Sequence, residues 1–170
     1  EDIAGNRVEF NDEVTIDTAA SSLSSIFLDN DSNIKGDWIS KNADPQWSGT
    51  LEKGTELTIT IVGAGKTIVL RSPDDFSVDA DGNWTASLGQ SLEDSKYKVT
   101  FDAVDRAGNP SSITHDLEID TSITLSGGLS ATSDSGESSS DQITSNNTPL
   151  FRGEGESGAV VTLLINDTEY

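Results

Sequence analysis

The stretch YKVTFDA, residues 97–103, alternates apolar and polar side chains without a break. In an extended chain its apolar side chains share one face, and these are Tyr97, Val99, Phe101 and Ala103. A period of two residues is typical of a strand with one buried and one solvated face, as in antiparallel sheets. The shorter stretch LTITI, residues 57–61, alternates in the same way. The predicted fold class is therefore all-β.

The residues that follow this stretch have counterparts near the start of the chain. Ala107-Gly108-Asn109 and Ile119-Asp120-Thr121 repeat Ala4-Gly5-Asn6 and Ile16-Asp17-Thr18 at a spacing of 103 residues. A second match, from Asp44–Gly49 to Thr148–Gly153, has a spacing of 104 residues. Two blocks that agree on the period indicate a tandem repeat about the size of one β-sandwich.

This period divides the chain into three parts. It predicts the tail of one unit at residues 1–18, a complete unit at 19–121 and the first half of another at 122–170. We therefore expect the sequence to be a window on a tandem array in a longer natural protein. We also expect the half unit to be disordered, paired with another chain or completed by a longer chain, because half a sandwich exposes sheet edges.

The complete unit contains enough strand signals for an immunoglobulin-like β-sandwich. Turn residues separate short alternating segments at the spacing of a sandwich. The seven or eight expected strands are 22–28, 45–51, 55–62, 66–71, 75–79, 84–88, 96–103 and 112–120. Trp47 and Trp84 fall at inward positions and are expected to anchor the core. Asp81-Gly82 is interpreted as a tight hairpin turn between two of these strands.

The composition limits the classes of partner. The chain has 170 residues and carries 30 acidic against 10 Lys and Arg side chains, a formal net charge of −20. This charge disfavours nucleic acid and anionic membrane surfaces and favours small cations. A simple role in solubility is the alternative. There is no cysteine, so disulfides and thiolate chemistry are absent, and no apolar run reaches the ~20 residues of a membrane helix.

The sequence gives no support for catalysis. GAGKT, residues 63–67, lacks the first glycine of a phosphate-binding loop and lies between two predicted strands, which indicates a β-turn. The one histidine, His115, falls at an inward position of a strand and aligns with Asp12 in the other copy. We interpret it as a strand-edge polar residue. The protein is therefore not expected to be an enzyme.

Acidic residues gather in the predicted loops. The densest run is Asp29-Asn30-Asp31-Ser32-Asn33-Ile34-Lys35-Gly36-Asp37. Calcium takes six to eight oxygen ligands at about 2.3–2.6 Å, which carboxylates and carbonyls of an irregular loop can supply. This run is not an EF-hand, because no Glu stands at the twelfth position. A calcium loop and a solvated acidic loop both remain open here. The third unit has a looser version with Asp134 and Asp141.

A second acidic group combines residues from two parts of the chain. Asp102, Asp105 and Asn109 flank the turn between the last two strands, and Asp17 and Asp120 precede the start of each new unit. In a sandwich the turn between the last two strands and the incoming linker lie at the same pole, so Asp17 should approach Asp105 and Asn109. Carboxylates brought together repel each other unless a cation lies between them. For DADG, residues 79–82, a plain hairpin turn is favoured.

Several motifs in this order resemble one protein family. They are VDRAGN…LEIDT, DADGNWTASL, SATSDSG and TPLFRGEGESGAVVTLLIND. They are similar to the bacterial immunoglobulin-like repeats of giant type-I-secreted, biofilm-associated and non-fimbrial adhesins of Gram-negative bacteria. The resemblance covers the whole chain. It implies a secreted, cell-surface rod of repeats whose junctions are stiffened by calcium, with other domains contacting a host-cell glycan or receptor.

The resemblance also implies a ligand set. Asp17, Asp105 and Asn109 would bind calcium at one junction, with Asp102 beside them. Asp120 would do so at or near the other, together with Asp29, Asp31 and Asp37. The family usually has DSG where this unit has Asp31-Ser32-Asn33, a departure that bears on the exact ligands.

Two functional hypotheses follow. The first is a structural spacer of a large adhesin that projects an adhesive tip for cell adhesion or biofilm formation. The second is a carbohydrate- or receptor-binding module that uses exposed aromatic side chains, with Trp38 beside the acidic loop as the contact residue. The aligned residue in the third unit is Gln142. A binding array would be expected to repeat its contact residue, which favours the spacer.

Overall fold

The computed structural model of the protein describes residues 1–169. The chain divides into two compact units, Glu1–Thr121 and a second that begins at Ser122. All regular elements in the described residues are β-strands. Among them there is no helix long and apolar enough to cross a membrane.

The first unit contains two facing sheets built from eight strands. The strands are β1 Ile26–Leu28, β2 Ile39–Ser40, β3 Gln46–Thr50, β4 Glu56–Gly63, β5 Lys66–Arg71, β6 Asn83–Ser87, β7 Ser95–Val104 and β8 Pro110–Ile119. One sheet has the order β1-β3-β6 and the other the order β2-β8-β7-β4-β5. All pairs are antiparallel except β2 with β8. The predicted all-β, immunoglobulin-like sandwich is confirmed.

The core lies between the inner faces of the two sheets. Trp47 and Trp84 of the three-stranded sheet are 0% and 3% exposed. Their rings lie 6.3 and 6.1 Å from the ring of Phe101, which is fully buried on β7. The alternation of residues 97–103 therefore places its apolar side chains in the core, and both tryptophans anchor it as the sequence predicts.

The β-turn predicted within residues 63–67 is present. Gly63 pairs with Lys66 at the end of the β4–β5 hairpin. Ala64 and Gly65 form the turn with φ angles of 48° and 70°. Two successive positive φ angles are typical of the turns that match the twist of a hairpin.

Two strand predictions need correction. Residues 75–79 form no strand, only one bridge between Val78 and Trp84. The reason is local, because Asp75 accepts a hydrogen bond from the Arg71 main-chain N–H and Asp79 organises a turn of its own. The turn around Asp81-Gly82 therefore spans residues 79–83 and is longer than the tight hairpin turn that was predicted. Of the predicted strand 22–28, only β1 is regular.

The second unit and the N-terminal residues have little core in the described structure. The strands of the second unit are β9 Leu125–Leu129, β10 Phe151–Gly155, β11 Leu164–Ile165 and β12 Thr168–Glu169. They form two separate two-stranded sheets, β9 with β10 and β11 with β12.

Residues 1–18, aligned in sequence with the end of a unit, form no strand. Their apolar side chains are exposed, and these are Ile3, Val8, Phe10, Val14 and Ile16.

Candidate cation site

A five-residue turn, Asp-x-x-Gly-Asn, prepares the carboxylate at the centre of the candidate site. In the copy at 105–109, Asp105 Oδ1 accepts hydrogen bonds from the main-chain N–H groups of Ala107 (2.9 Å) and Asn109 (2.8 Å). Gly108 adopts a φ of 91°, which glycine reaches without a Cβ clash. Aspartate favours such turns because its side chain bonds to its own main chain. The same turn and hydrogen bonds occur at residues 2–6 and 79–83.

These hydrogen bonds keep the Asp105 carboxylate ionised. The side-chain amide of Asn109 donates to Asp105 Oδ2 at 2.8 Å and lowers the pKa of Asp105, and main-chain N–H groups of the turn lower it further against the effect of burial. Asp105 is only 6% exposed. The turn therefore presents a buried negative charge at the pole of the sandwich between β7 and β8.

Two more carboxylates meet Asp105 at this pole. One carboxylate oxygen from each of Asp17, Glu52 and Asp105 lies within 4.8 Å of the other two. Asp105 is buried, Asp17 is half-buried and Glu52 is exposed. The structure thus brings together the predicted pair Asp17 and Asp105, and it adds Glu52, which the sequence analysis missed.

The register of the sheet explains why Glu52 belongs here. Glu56 at the start of β4 lies opposite Val104 at the end of β7. The loop that precedes β4 and the turn that follows β7 must therefore occupy the same pole. The pairing of β4 with β7 shows that Glu52 lies near Asp105, which spacing along the sequence alone does not.

Main-chain contacts hold the incoming segment against the site. The Asn109 side-chain amide lies 3.3 Å from the main-chain oxygen of Asp17. Ser111 donates its hydroxyl to the carbonyl of Ser21 at 2.8 Å, and the Ser21 hydroxyl accepts the N–H of Glu52 at 2.9 Å. Asn109 therefore both orients Asp105 and contacts the segment that carries Asp17.

The donor set suits a hard cation. Three carboxylates at this separation repel one another, and an ion between them would remove that repulsion. All donors are oxygen, which calcium and magnesium prefer and which soft thiophilic metals do not. The cavity beside the cluster is also lined by Lys53 and Arg106, whose positive charges offset part of the repulsion.

The other predicted ligands lie elsewhere. Asp102 points to the outer face of β7 and accepts the Ser112 hydroxyl at 2.6 Å, away from the cluster. Asp29 accepts the hydroxyl of Ser48. The remaining pair, Asp37 and Asp120, lines one cavity together with Lys41.

Asp31 has an unusual environment for a carboxylate. It is 5% exposed, and its Oδ2 accepts the main-chain N–H of Gly36 at 2.6 Å. Its Oδ1 is inaccessible and has no hydrogen-bond partner. Asp134, the aligned residue in the second unit, has the same unpartnered buried Oδ1 and is 8% exposed.

Trp38 is not an exposed aromatic. It is 8% exposed, and its ring stacks on His115 at 3.9 Å with an interplanar angle of 4°. His115 lies on the inner face of β8, and burial lowers its pKa. At His115 the strand β8 pairs only with β7, so this residue lies at an edge of the sheet and at the inward position that the sequence predicts, with its ring near those of Trp38 and Phe101. Trp38 has no free ring face to offer a sugar.

Comparison with known proteins identifies a family. A sequence model described as a bacterial Ig-like domain matches residues 20–121 and, a second time, residues 123–170. A search of curated proteins returned no significant match.

Proposed function

The chain belongs to the family of bacterial Ig-like domains, and from that premise we propose that it is a structural spacer of a large secreted adhesin, stiffened by calcium. In this role its units would hold an adhesive tip away from the cell for cell adhesion or biofilm formation. Membership of this family indicates a repeat of a surface protein, and the family is typically non-enzymatic.

One observation carries the calcium part of the proposal. Asp17 lies in the segment before the first strand, and its carboxylate meets those of Glu52 and Asp105 at the pole of the sandwich. An ion bound by all three would tie that segment to two loops of the sandwich. The main-chain oxygen of Asp17, already in contact with Asn109, lies beside the same site.

Repulsion among the three carboxylates explains why calcium would stiffen the segment that carries Asp17. When bound, the ion supplies positive charge that cancels the repulsion among the three carboxylates. In the absence of an ion, that repulsion favours conformations in which residue 17 moves away from residues 52 and 105. The segment would therefore hinge without calcium and become rigid with it.

A thermal melt of the full chain followed by tryptophan fluorescence tests ion binding. All three tryptophans lie in the first unit, so the signal reports on that unit alone. We expect millimolar calcium to raise the midpoint by several degrees over EDTA. A ligand that binds only the folded state at a hundred times its Kd adds about 2.7 kcal/mol.

The two Asp-x-x-Gly-Asn turns within the sandwich, at 79–83 and 105–109, supply a matched control. Asp105→Asn and Asp79→Asn disturb the same hydrogen bonds in the same kind of turn. Only Asp105 has Asp17 and Glu52 beside it. We expect Asp105→Asn and Glu52→Gln to lose the calcium shift and Asp79→Asn to keep it. Equal shifts in all variants would overturn the site.

Stiffening needs its own measurement. Amide ¹⁵N relaxation of residues 12–19 should show ordering when calcium is added, and Glu52→Gln should abolish that change. A rise in melting temperature with unchanged relaxation would mean that the ion stabilises the unit without stiffening the segment.

A further inference from the structure

The chain contains four sequons, the pattern Asn-x-Ser/Thr in which x is not proline. They begin at Asn30, Asn83, Asn146 and Asn166. This pattern marks asparagines on the surface of secreted proteins whose amide nitrogen can accept a sugar. The pattern is frequent in a chain rich in Asn, Ser and Thr, so the hydrogen bonds around each amide decide which nitrogen is available.

The nitrogens of two sequons are already bound within the fold. Asn30 donates from Nδ2 to the main-chain carbonyl of Asp44 at 2.7 Å, and its Oδ1 accepts the N–H of Gln46 at 3.3 Å. Asn83 donates from Nδ2 to Asp79 Oδ2 at 3.1 Å. Attachment of a sugar to either nitrogen would disturb the hydrogen bonds that hold its loop or turn.

The sequon at Asn166 has a different local geometry. Asn166 and Asp167 lie between β11 and β12 with φ angles of 51° and 62°. Thr168 pairs with Ile165 in the two-stranded sheet. Among the described residues, the hydroxyl of Thr168 makes no hydrogen bond to the Asn166 amide. The hydroxyl of this sequon is therefore not held against its acceptor.

Asn146 is bound through its amide oxygen instead. Its Oδ1 accepts the main-chain N–H of Thr148 at 2.9 Å and the hydroxyl of the same residue at 3.2 Å. This is the turn in which an Asn side chain bonds to the main chain two residues further on. Both residues are exposed, and within the described part of the chain Nδ2 of Asn146 has no hydrogen-bond partner. The turn thus fixes the amide and leaves its nitrogen free.

The aligned position of the first unit has the same turn without the hydroxyl. Asn42 Oδ1 accepts the main-chain N–H of Asp44 at 3.0 Å. Asp44 stands where the second unit has Thr148, and its carboxylate accepts the N–H of Gly89 at 3.0 Å. The turn therefore belongs to both loops, whereas the sequon hydroxyl belongs to the second unit alone.

We propose that Asn146 is an N-glycosylation site, which accepts a sugar from a glycosyl diphosphate donor. In this transfer Nδ2 forms a bond to the anomeric carbon of the sugar, and the bond from that carbon to the diphosphate oxygen breaks. The diphosphate leaves with the electron pair, and the amide gives one proton to a base of the transferase. Thr148 is a positioning residue, because it holds the amide of Asn146 through the oxygen and leaves the nitrogen to react.

Peptide mass mapping of the full chain, isolated from the cells that make it, tests the proposal. We expect a sugar on Asn146 and none on Asn30, Asn83 or Asn166. Asn146→Gln and Thr148→Val should lose the sugar, and Thr148→Ser, which restores a hydroxyl, should keep it. A single sugar would indicate a nucleotide-linked donor, and an oligosaccharide block would indicate a lipid-linked donor.

Two new sequons separate the effect of the turn from that of the pattern. Asp44→Thr completes a sequon at Asn42, whose amide is already held by its oxygen. Val8→Thr completes one at Asn6, which is also exposed but donates from Nδ2 to Asp2 Oδ2 at 2.8 Å. We expect a sugar at residue 42 and none at residue 6. A melt followed by tryptophan fluorescence shows whether the first unit of each variant is folded.

Three results would overturn the proposal. They are an unmodified Asn146, equal modification of Asn146 and Asn83, and equal modification of the two new sequons. The last two would show that the pattern alone selects the acceptor. These masses are independent of the calcium measurements, so either proposal can fail without the other.

Discussion

The two units use one sequence pattern and bury it to different extents. Trp47 on β3 lies opposite Leu28, and its counterpart Phe151 on β10 lies opposite Leu129. Trp47 is 0% exposed, whereas Phe151 is 39% exposed. In both units the aromatic strand thus pairs with the strand before it, β3 with β1 and β10 with β9, and hydrogen bonds of the intervening loop recur, whereas the burial of the aromatic ring differs. Local pairing needs only neighbouring residues, but a core needs a second sheet to pack against.

That second sheet is present in the first unit. Phe101 on β7 lies against Trp47, and Ile59 on β4 belongs to the same core; both are fully buried. The described part of the second unit has only two separate two-stranded sheets. Two-stranded ribbons are marginally stable by themselves. We therefore expect the two units to differ in how strongly they respond to the same kind of substitution.

Truncation of the aligned aromatic residues should give the largest contrast. Trp47→Ala removes a fully buried ring and should cost about 3–5 kcal/mol of unfolding free energy in the first unit. Phe151→Ala should cost about 1 kcal/mol or less, because its ring is partly exposed. Urea unfolding followed by the remaining tryptophans measures the first effect, and amide hydrogen exchange in β9 and β10 measures the second.

A milder substitution at residue 47 keeps this contrast measurable if Trp47→Ala does not fold. Trp47→Phe installs the residue of the second unit and should cost less than Trp47→Ala. Equal costs for Trp47→Ala and Phe151→Ala would break the comparison, since they would show that both rings are buried to the same extent in solution.

Removal of the aligned loop hydroxyls should have an intermediate effect. Ser40 is 0% exposed and donates to the Asn30 carbonyl at 2.7 Å. Ser40→Ala leaves that buried carbonyl short of a donor and should cost about 1–3 kcal/mol. Thr144→Val should cost less, because Thr144 is half-buried whereas Ser40 is fully buried. Exchange of the Asn42 and Asn146 amides, which these hydroxyls accept, reports each loop separately. Equal acceleration of hydrogen exchange at the Asn42 and Asn146 amides would contradict the expected difference between the two loops.

The smallest expected effect concerns acid stability. Only the first unit has Asp-x-x-Gly-Asn turns within its sandwich, at 79–83 and 105–109. The side-chain amide of Asn83 lowers the pKa of Asp79, with help from main-chain N–H groups. A carboxyl group whose pKa is lower when folded stabilises the protein above its unfolded-state value. That stability is lost as the pH falls through the folded-state value.

Asp79→Ala should therefore destabilise the first unit at neutral pH and become indistinguishable from the wild type in acid. Melting midpoints measured in EDTA from neutral pH to below pH 3.8, the ordinary value, give the comparison. A midpoint difference that does not change with pH would show that the carboxylate charge has no part in the turn.

Several features of the fold could be predicted from particular residues. The alternation at 97–103 gives β7 and its buried face, and Gly63-Ala64-Gly65 gives the hairpin turn. The short strand β2 could not be predicted, because two residues carry no periodic signal and their partner in β8 is about 80 positions away. The predicted strand at 75–79 failed because the carboxylates of Asp75 and Asp79 compete for main-chain N–H groups.

The candidate site could be predicted only in part, because one of its three carboxylates depends on strand register. Asp17 and Asp105 follow from the order of elements in a sandwich, whereas Glu52 follows only from the pairing of Glu56 with Val104. Trp38 was misjudged because a polar loop surrounds it in sequence. In three dimensions that loop folds back over β8 and stacks the indole on His115.

The sequence by itself determined the repeat, the β-class and the turns, because these depend on residue spacing and on side chains that bond to nearby main chain. Tertiary structure alone decided which carboxylates meet, which aromatic rings are buried and which carboxylate oxygens are left without a partner. These properties depend on strand register and on the second sheet, which join residues far apart in the chain.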